Sequence, residues 1–137
     1  MVFNLYFPTP RVVISKCIEF ERVRWNAQML HNDLVKVLIP YIEPITVCPE
    51  VGIGLPVPRE TLRIVRINGI DRLMQPKTGK DLTDQMKIFT EKFLENLPPV
   101  DGFIMKSGSP SSGLSHVKIY AALQNAPVVE RGAGIFG

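Results

Sequence analysis

The stretch Arg11-Val12-Val13-Ile14-Ser15 follows Pro10 and forms a short run rich in β-branched residues. A run of this length, bounded by a proline, is typical of a buried strand. Cys17 comes just past the end of the predicted strand. The first strand of the predicted fold therefore ends beside a residue that is able to bind a metal or to act as a nucleophile.

The next part of the chain changes from a strand pattern to a helical one and back. Apolar residues at three- and four-residue spacing predict a helix over residues 26–42, with Pro44 following as a stop. Residues 45–47 predict a second short strand, and Cys48 stands at its carboxyl end. The second strand thus ends, like the first, on a cysteine.

The remaining patterns complete a fold prediction. A hairpin is predicted from residues 62–67 and 72–74 around the turn pair Asn68-Gly69. An apolar stripe predicts a helix over residues 82–97, and residues 101–106 predict a third buried strand. Strands alternating with helices indicate a single α/β domain of Rossmann-like type, with a mostly parallel open sheet and flanking helices.

Three of these strands lead into unusual loops. The loops carry Cys17, then Cys48-Pro49-Glu50, then Ser109-Pro110-Ser111-Ser112-Gly113. In open parallel sheets, ligands bind outside the carboxyl ends of the strands. We therefore expect the three loops to meet and to form a ligand site.

Composition and charge exclude several classes of protein. A chain of 137 residues fits one domain, and 45% hydrophobic with 21% charged residues excludes a disordered or fibrous chain. The net charge of +3 comes without a dense basic stripe, which argues against nucleic acid as a partner. No apolar run approaches the roughly 20 residues that span a bilayer, so no membrane is expected either.

The two cysteines are too few for a disulfide-scaffolded protein. Residues 1–10 make a poor secretory signal, so a reduced, cytoplasmic setting is expected. In that setting a cysteine is a core residue, a catalytic group or a metal ligand. The spacing of Cys17 and Cys48 alone leaves these alternatives open.

Four motifs in a fixed order make the sequence recognisable. They are Cys17 with Val23-Arg24-Trp25-Asn26, Cys48-Pro49-Glu50-Val51 with Gly54-Leu55-Pro56-Val57-Pro58-Arg59, Asp81-Leu82-Thr83, and Ser109-Pro110-Ser111-Ser112-Gly113 with Gly132-Ala133-Gly134-Ile135-Phe136. In this order they resemble the family of the 2-thiouracil desulfurases. The resemblance covers residues 11–137 as one desulfurase-like domain, which makes residues 1–10 an N-terminal extension.

The resemblance implies an iron–sulfur enzyme that acts on a thiolated pyrimidine or a similar small thioamide. Members of the family hold a 4Fe–4S cluster through three cysteines, and water replaces the sulfur of the base without net redox change. Cys17 and Cys48 match two of the cluster ligands. Glu50 matches the catalytic acid/base, and Ser109 matches a catalytic serine close to the substrate. Arg24 and Ser111 are expected to bind the substrate.

The third ligand position departs from the family, because Ser112 stands where the resemblance calls for a cysteine. A serine hydroxyl is a harder and far less acidic ligand than a thiol, so a cluster held here should be labile. Two explanations stay open. One is an engineered or isolated replacement in a competent scaffold; the other is a natural variant with a weakened cluster, another metal or none.

Several of these residues also have ordinary structural interpretations. Glu50 could cap the following turn or pair with Arg59, and Ser109 could serve as a turn residue before Pro110. Arg24 could be a surface charge, and Trp25 is assigned to the core rather than to stacking on a base.

Three functions are therefore considered, and the oligomeric state stays open. The first is a desulfurase impaired by Ser112, and the second is a non-catalytic iron- or sulfur-binding module that acts as a sensor or scaffold. General RNA binding is the weakest of the three.

Overall fold

The computed structural model describes residues 8–124 and 126–137. Residues 1–7 of the predicted N-terminal extension lie outside the described residues. In chain order the described elements are β1 Arg11–Ser15, α1 Asp33–Leu38, a 3-10 turn Ile39–Tyr41, β2 Glu43–Val47, α2 Pro49–Gly52, β3 Arg63–Ile67, β4 Ile70–Gln75, β5 Lys80–Asp81, α3 Thr83–Glu95, β6 Gly102–Ile104, β7 Val117–Tyr120 and β8 Val128–Gly132.

The strands form two sheets rather than one. The smaller sheet has the order β2-β1-β6, and β1 pairs in parallel with both neighbours. The larger sheet has the order β5-β4-β3-β7-β8 and is mixed, because only β3 and β7 pair in parallel there. The domain is therefore α/β, as predicted, but the expectation of one mostly parallel, Rossmann-like open sheet is corrected.

The larger sheet is mixed because short connections join some of its neighbouring strands. Strands β3 and β4 are joined by Asn68-Gly69, where both residues have positive φ, and so tight a turn can join only antiparallel strands. The sequence interpretation found this hairpin, and the structure confirms it. It did not predict β7 and β8, whose antiparallel pairing extends the mixed sheet.

The predicted helix over residues 26–42 is mostly wrong. Helix α1 begins only at Asp33, where the Asn32 side chain accepts a hydrogen bond from the Val35 amide, and Val35 alone is buried. Ahead of it the chain makes a loop in which Ala27 has φ of 59°, which no helix permits. The apolar spacing that suggested a long helix belongs to a short helix followed by a 3-10 turn that contains Pro40.

Helix α3 agrees with the prediction and packs on the larger sheet. Leu82 and Met86 are buried against strand residues Ile64, Leu73 and Ile119. Further along, Phe89 and Phe93 pack toward a second cluster that contains Val13, Val47 and Phe136. The helix thus contributes to the cores of both sheets.

The parallel strands of the smaller sheet explain how the loops meet. Ser15 at the end of β1 pairs with Val47 at the end of β2, so Cys17 and Cys48 follow at the same edge. Strand β6 flanks β1 on its other side, and beyond it the Lys106 amide donates to Ser15 Oγ at 2.8 Å. The loop that carries Ser109 to Gly113 therefore leaves from this edge as well.

Candidate functional site

The three loops surround one cavity of about 230 Å³. Its walls include Cys17, Cys48, Glu50, Ser109 and Ser112. These residues come from the ends of β1, β2 and β6, as expected for loops at the carboxyl edge of parallel strands. Five side chains predicted to be functional thus lie around a single space.

The two cysteines line this cavity as free, partly buried thiols. Burial raises the pKa of Cys17, and the charge of Glu50 adds to that effect. The pKa of Cys48 is raised by the same two causes in the same order. The Cys48 thiol lies 3.7 Å from Glu50 Oε2 and 3.9 Å from the carbonyl oxygen of Val23. The thiols are therefore held as neutral groups beside a carboxyl.

Glu50 stands in the first turn of the short helix α2, directly after Cys48 and Pro49. Its side chain is 13% exposed. Ser111 Oγ donates to Glu50 Oε1 at 2.5 Å, and Arg59 Nη2 lies 4.0 Å from Glu50 Oε2. The ion pair with Arg59 is thus at the limit of its range, and the serine makes the closer contact.

Arg59 is a buried cation that the sequence interpretation mentioned only as a possible partner of Glu50. Its side chain is 6% exposed, and Nη1 donates to the carbonyl oxygens of Val23 and Pro56 at 3.0 and 3.3 Å. Its amide also donates to the carbonyl oxygen of Trp25 at 2.8 Å. Through these hydrogen bonds Arg59 holds the loop of residues 23–25 against the wall that carries Glu50. The Leu-Pro-x-Pro-Arg motif was the sequence signal for it.

The serine loop is ordered by hydrogen bonds among its own members. Ser109 Oγ lies 3.1 Å from Ser111 Oγ, and it accepts from the Ser112 amide at 3.2 Å. Ser109 and Ser112 line the cavity, whereas Ser111 is 0% exposed. Ser111, expected to bind substrate, is therefore buried behind the two residues it joins, Glu50 and Ser109.

The C-terminal segment supports this loop from behind, which the sequence interpretation missed. The Phe136 amide donates to the Ser111 carbonyl at 2.6 Å, and the Gly134 amide donates to the Gly113 carbonyl at 2.8 Å. A Cβ atom on Gly134 would lie 2.6 Å from backbone atoms of Pro110 and Ser111. Only glycine lets the two segments approach this closely, so the glycine-rich end of the chain was the available signal.

Arg24 and Trp25 belong to the loop that Arg59 holds, and both residues line the cavity. Trp25 is 47% exposed, so its assignment to the core is wrong. The loop turns back through a hydrogen bond from the Ala27 amide to the Arg24 carbonyl, and this turn keeps the indole out of the core. The cavity therefore has a basic and an aromatic side chain available for a planar, polar ligand.

The donor set agrees with an iron–sulfur cluster at two positions and differs at the third. Cys17 and Cys48 present soft thiol donors to one cavity, while Ser112 presents a hydroxyl and is 3% exposed. Among residues 8–124 and 126–137, no three histidine, cysteine or acidic side chains come together as a metal site. Two soft thiol donors and one hydroxyl thus line the same cavity.

No helix among the described residues has both the length and the apolar character needed to span a membrane.

Two of three comparisons relate this chain to known proteins. A search of curated proteins gave no match. Among solved structures, the chain is similar to one described as a 4Fe–4S-dependent thiouracil desulfidase, TudS, with 23% sequence identity and a TM-score of 0.67. The match covers 93% of this chain and 82% of that chain, and it shows likeness of fold. The family model described as 2-thiouracil desulfurase matches residues 12–137. This chain therefore belongs to the 2-thiouracil desulfurase family.

Proposed function

We propose that this protein removes sulfur from a thiolated pyrimidine, such as 2-thiouracil, in an iron–sulfur-dependent reaction without net redox change. Water supplies the oxygen of the product base, and the sulfur leaves as sulfide with the two protons of the water. The observation that carries the proposal is that Cys17, Cys48, Glu50 and Ser109 line one cavity although they come from three loops.

Cys17 and Cys48 would hold the cluster, with Ser112 at the third ligand position. Iron in such a cluster supplies a soft Lewis acid for the departing sulfur. The TudS structure is described as 4Fe–4S-dependent, and the family match extends this expectation to the present chain. Because a hydroxyl is a poor ligand for iron at neutral pH, we expect the cluster to be retained weakly.

Glu50 and Ser109 would perform the proton chemistry. Glu50 lies within the cavity wall and can accept a proton from the attacking water, and a positioned acid/base contributes about 10²–10⁴-fold to a rate. Ser109 would contact the base directly. Arg24 and Trp25, which also line the cavity, would bind the substrate, because an aromatic side chain can stack on a planar ring. Two free thiols suit a reducing compartment, so we propose the cytoplasm as the setting.

One observation favours a second function. The third ligand position holds Ser112, which suits a non-catalytic iron- or sulfur-binding module that acts as a sensor or scaffold. The two functions differ in turnover, because only the first predicts formation of the oxo base.

The test is anaerobic reconstitution with iron and sulfide, followed by incubation with 2-thiouracil. Sulfide and uracil should appear in equal amounts. Glu50→Gln and Ser109→Ala should each slow their release by about 10²-fold or more, while Glu60→Gln on the same cavity should not. A reconstituted chain that holds iron but forms no uracil, even after Ser112→Cys, would support the sensor or scaffold function and contradict the enzyme.

A further inference from the structure

Ser111 is the one serine of its loop whose hydroxyl joins the two side chains expected to perform catalysis. It is 0% exposed, its Oγ donates to Glu50 Oε1 at 2.5 Å, and it lies 3.1 Å from Ser109 Oγ. The residues it joins are 59 positions apart in the chain (109 − 50). A polar group buried this deeply is retained where its hydrogen bonds are satisfied.

The count of protons fixes the direction of these hydrogen bonds. A serine hydroxyl has one proton and two lone pairs, so it can donate only one hydrogen bond. The single proton of Ser111 is committed to Glu50, so the contact with Ser109 requires that Ser109 donates to Ser111. The order of the hydrogen bonds is thus Ser109 to Ser111 to Glu50.

This order determines what Ser109 offers to the cavity. Its proton points to Ser111, and one of its lone pairs accepts from the Ser112 amide at 3.2 Å. The remaining group on Ser109 is a lone pair, and Ser109 lines the cavity. Ser109 therefore presents a hydrogen-bond acceptor, which matches a donor on the ligand and not the sulfur of a thiocarbonyl.

We propose that Ser111 is a positioning residue that holds Ser109 as an acceptor and so selects thiolated bases with a ring N–H beside the thiocarbonyl. 2-Thiouracil carries an N–H on each side of its C=S group, whereas 1,3-dimethyl-2-thiouracil carries none. The inference rests on the proposed function for its substrate class. It adds that Ser111, which does not contact the substrate, determines which thiolated bases the site prefers.

The test compares these two ligands in the parent chain, Ser111→Ala, Ser109→Ala and the exposed control Ser115→Ala. Binding to the chain as purified is followed by the fluorescence of Trp25, which is the single tryptophan and lines the cavity. Turnover is followed by sulfide release after reconstitution. The parent should prefer 2-thiouracil by about tenfold or more, since the methylated ligand leaves the acceptor unpaired.

Ser111→Ala should reduce this preference to about threefold or less, because Ser109 is then free to turn its proton toward the cavity. Steric exclusion of the methyl groups predicts instead that Ser111→Ala behaves like the parent, since Ser111 lies outside the cavity. An unchanged preference in Ser111→Ala therefore overturns the inference. If thermal melting shows that this variant is unfolded, Ser109→Ala decides, because a preference retained without the acceptor also overturns it.

The same experiment tests the proposed function independently of the role of Ser111. Binding with the expected preference but without release of sulfide, even from a reconstituted Ser112→Cys variant, contradicts the desulfurase function and still supports the role of Ser111. If the parent releases sulfide but binds both ligands equally well, the role of Ser111 is contradicted and the desulfurase function is supported.

Discussion

The thiol of Cys48 lies 3.7 Å from Oε2 of Glu50, two residues further along the chain. The first turn of helix α2, which begins at Pro49, brings the two side chains to the same wall of the cavity. The negative charge of Glu50 disfavours a thiolate beside it, so it raises the pKa of Cys48 in addition to the effect of burial. The same carboxyl raises the pKa of Cys17, where burial is again the larger cause.

Replacement of Glu50 should therefore make both thiols more reactive. We expect Glu50→Gln to speed alkylation of Cys17 and Cys48 by iodoacetamide severalfold at pH 7–8, because the thiolate is the nucleophile. Mass spectrometry of the cluster-free chain gives the rate at each cysteine. Glu60→Gln is the matched control, since Glu60 lines the cavity but contributes to neither pKa shift. Equal rates in the parent and Glu50→Gln would show that the carboxyl does not govern the thiols.

Uptake of iron should depend on pH because both thiols that we propose as ligands start out protonated. The pKa of each thiol is raised above its ordinary value, so each bound thiol must release one proton at neutral pH. The affinity for Fe²⁺ should then rise with pH, by about tenfold per pH unit for each thiol that binds. Competition with a ferrous chelator between pH 6.5 and 8.5 measures this slope. A flat profile would mean that the thiols do not bind the iron.

The sequence alone allowed those parts of the fold to be predicted in which local pattern and final environment agree. The Asn68-Gly69 turn predicted its hairpin because both residues tolerate positive φ, and the apolar stripe from Leu82 to Phe93 predicted helix α3. The division into two sheets could not be read in this way. It depends on the pairing of β3 with β7, whose partners Ile64 and Ile119 lie 55 positions apart (119 − 64). No local pattern reports such a partner.

The candidate site, like the fold, could be predicted from the sequence only in part. Cys17, Cys48, Glu50 and Ser109 were predicted from their motifs and lie on one cavity. The burial of Ser111 was not foreseeable, since a serine in a polar loop is usually exposed, and here the C-terminal segment covers it. Trp25 shows the opposite error, because it was assigned to the core while a turn at Arg24 and Ala27 leaves it half exposed.

The close approach of the C-terminal segment makes Gly134 a sensitive position. A Cβ there would lie 2.6 Å from backbone atoms of Pro110 and Ser111, so Gly134→Ala must push the serine loop away from its support. We expect a loss of about 1–3 kcal/mol in the free energy of unfolding, as for overpacking. Chemical denaturation measures it.

Gly54→Ala is a useful comparison for Gly134→Ala. Gly54 has positive φ, but a Cβ there meets no atom within 4 Å, so it tests backbone strain without a clash. If Gly134→Ala reduces the rate of sulfide release no more than Gly54→Ala does, the C-terminal segment does not hold the serine loop in place.

The last prediction concerns Ser112, at the proposed third ligand position. Ser112 lines the cavity with Cys17 and Cys48, and a cysteine differs from it by one atom, so Ser112→Cys should fit with little rearrangement. A third thiolate converts a weak ligand set into one suited to a 4Fe–4S cluster. We expect the variant to retain about four irons per chain through anaerobic gel filtration, while the parent loses most of its iron. Ser115→Cys adds the same thiol at an exposed position and should retain no more iron than the parent. Equal retention by all three chains would mean that position 112 does not limit the cluster, and the weakness expected of Ser112 as a ligand would then be wrong.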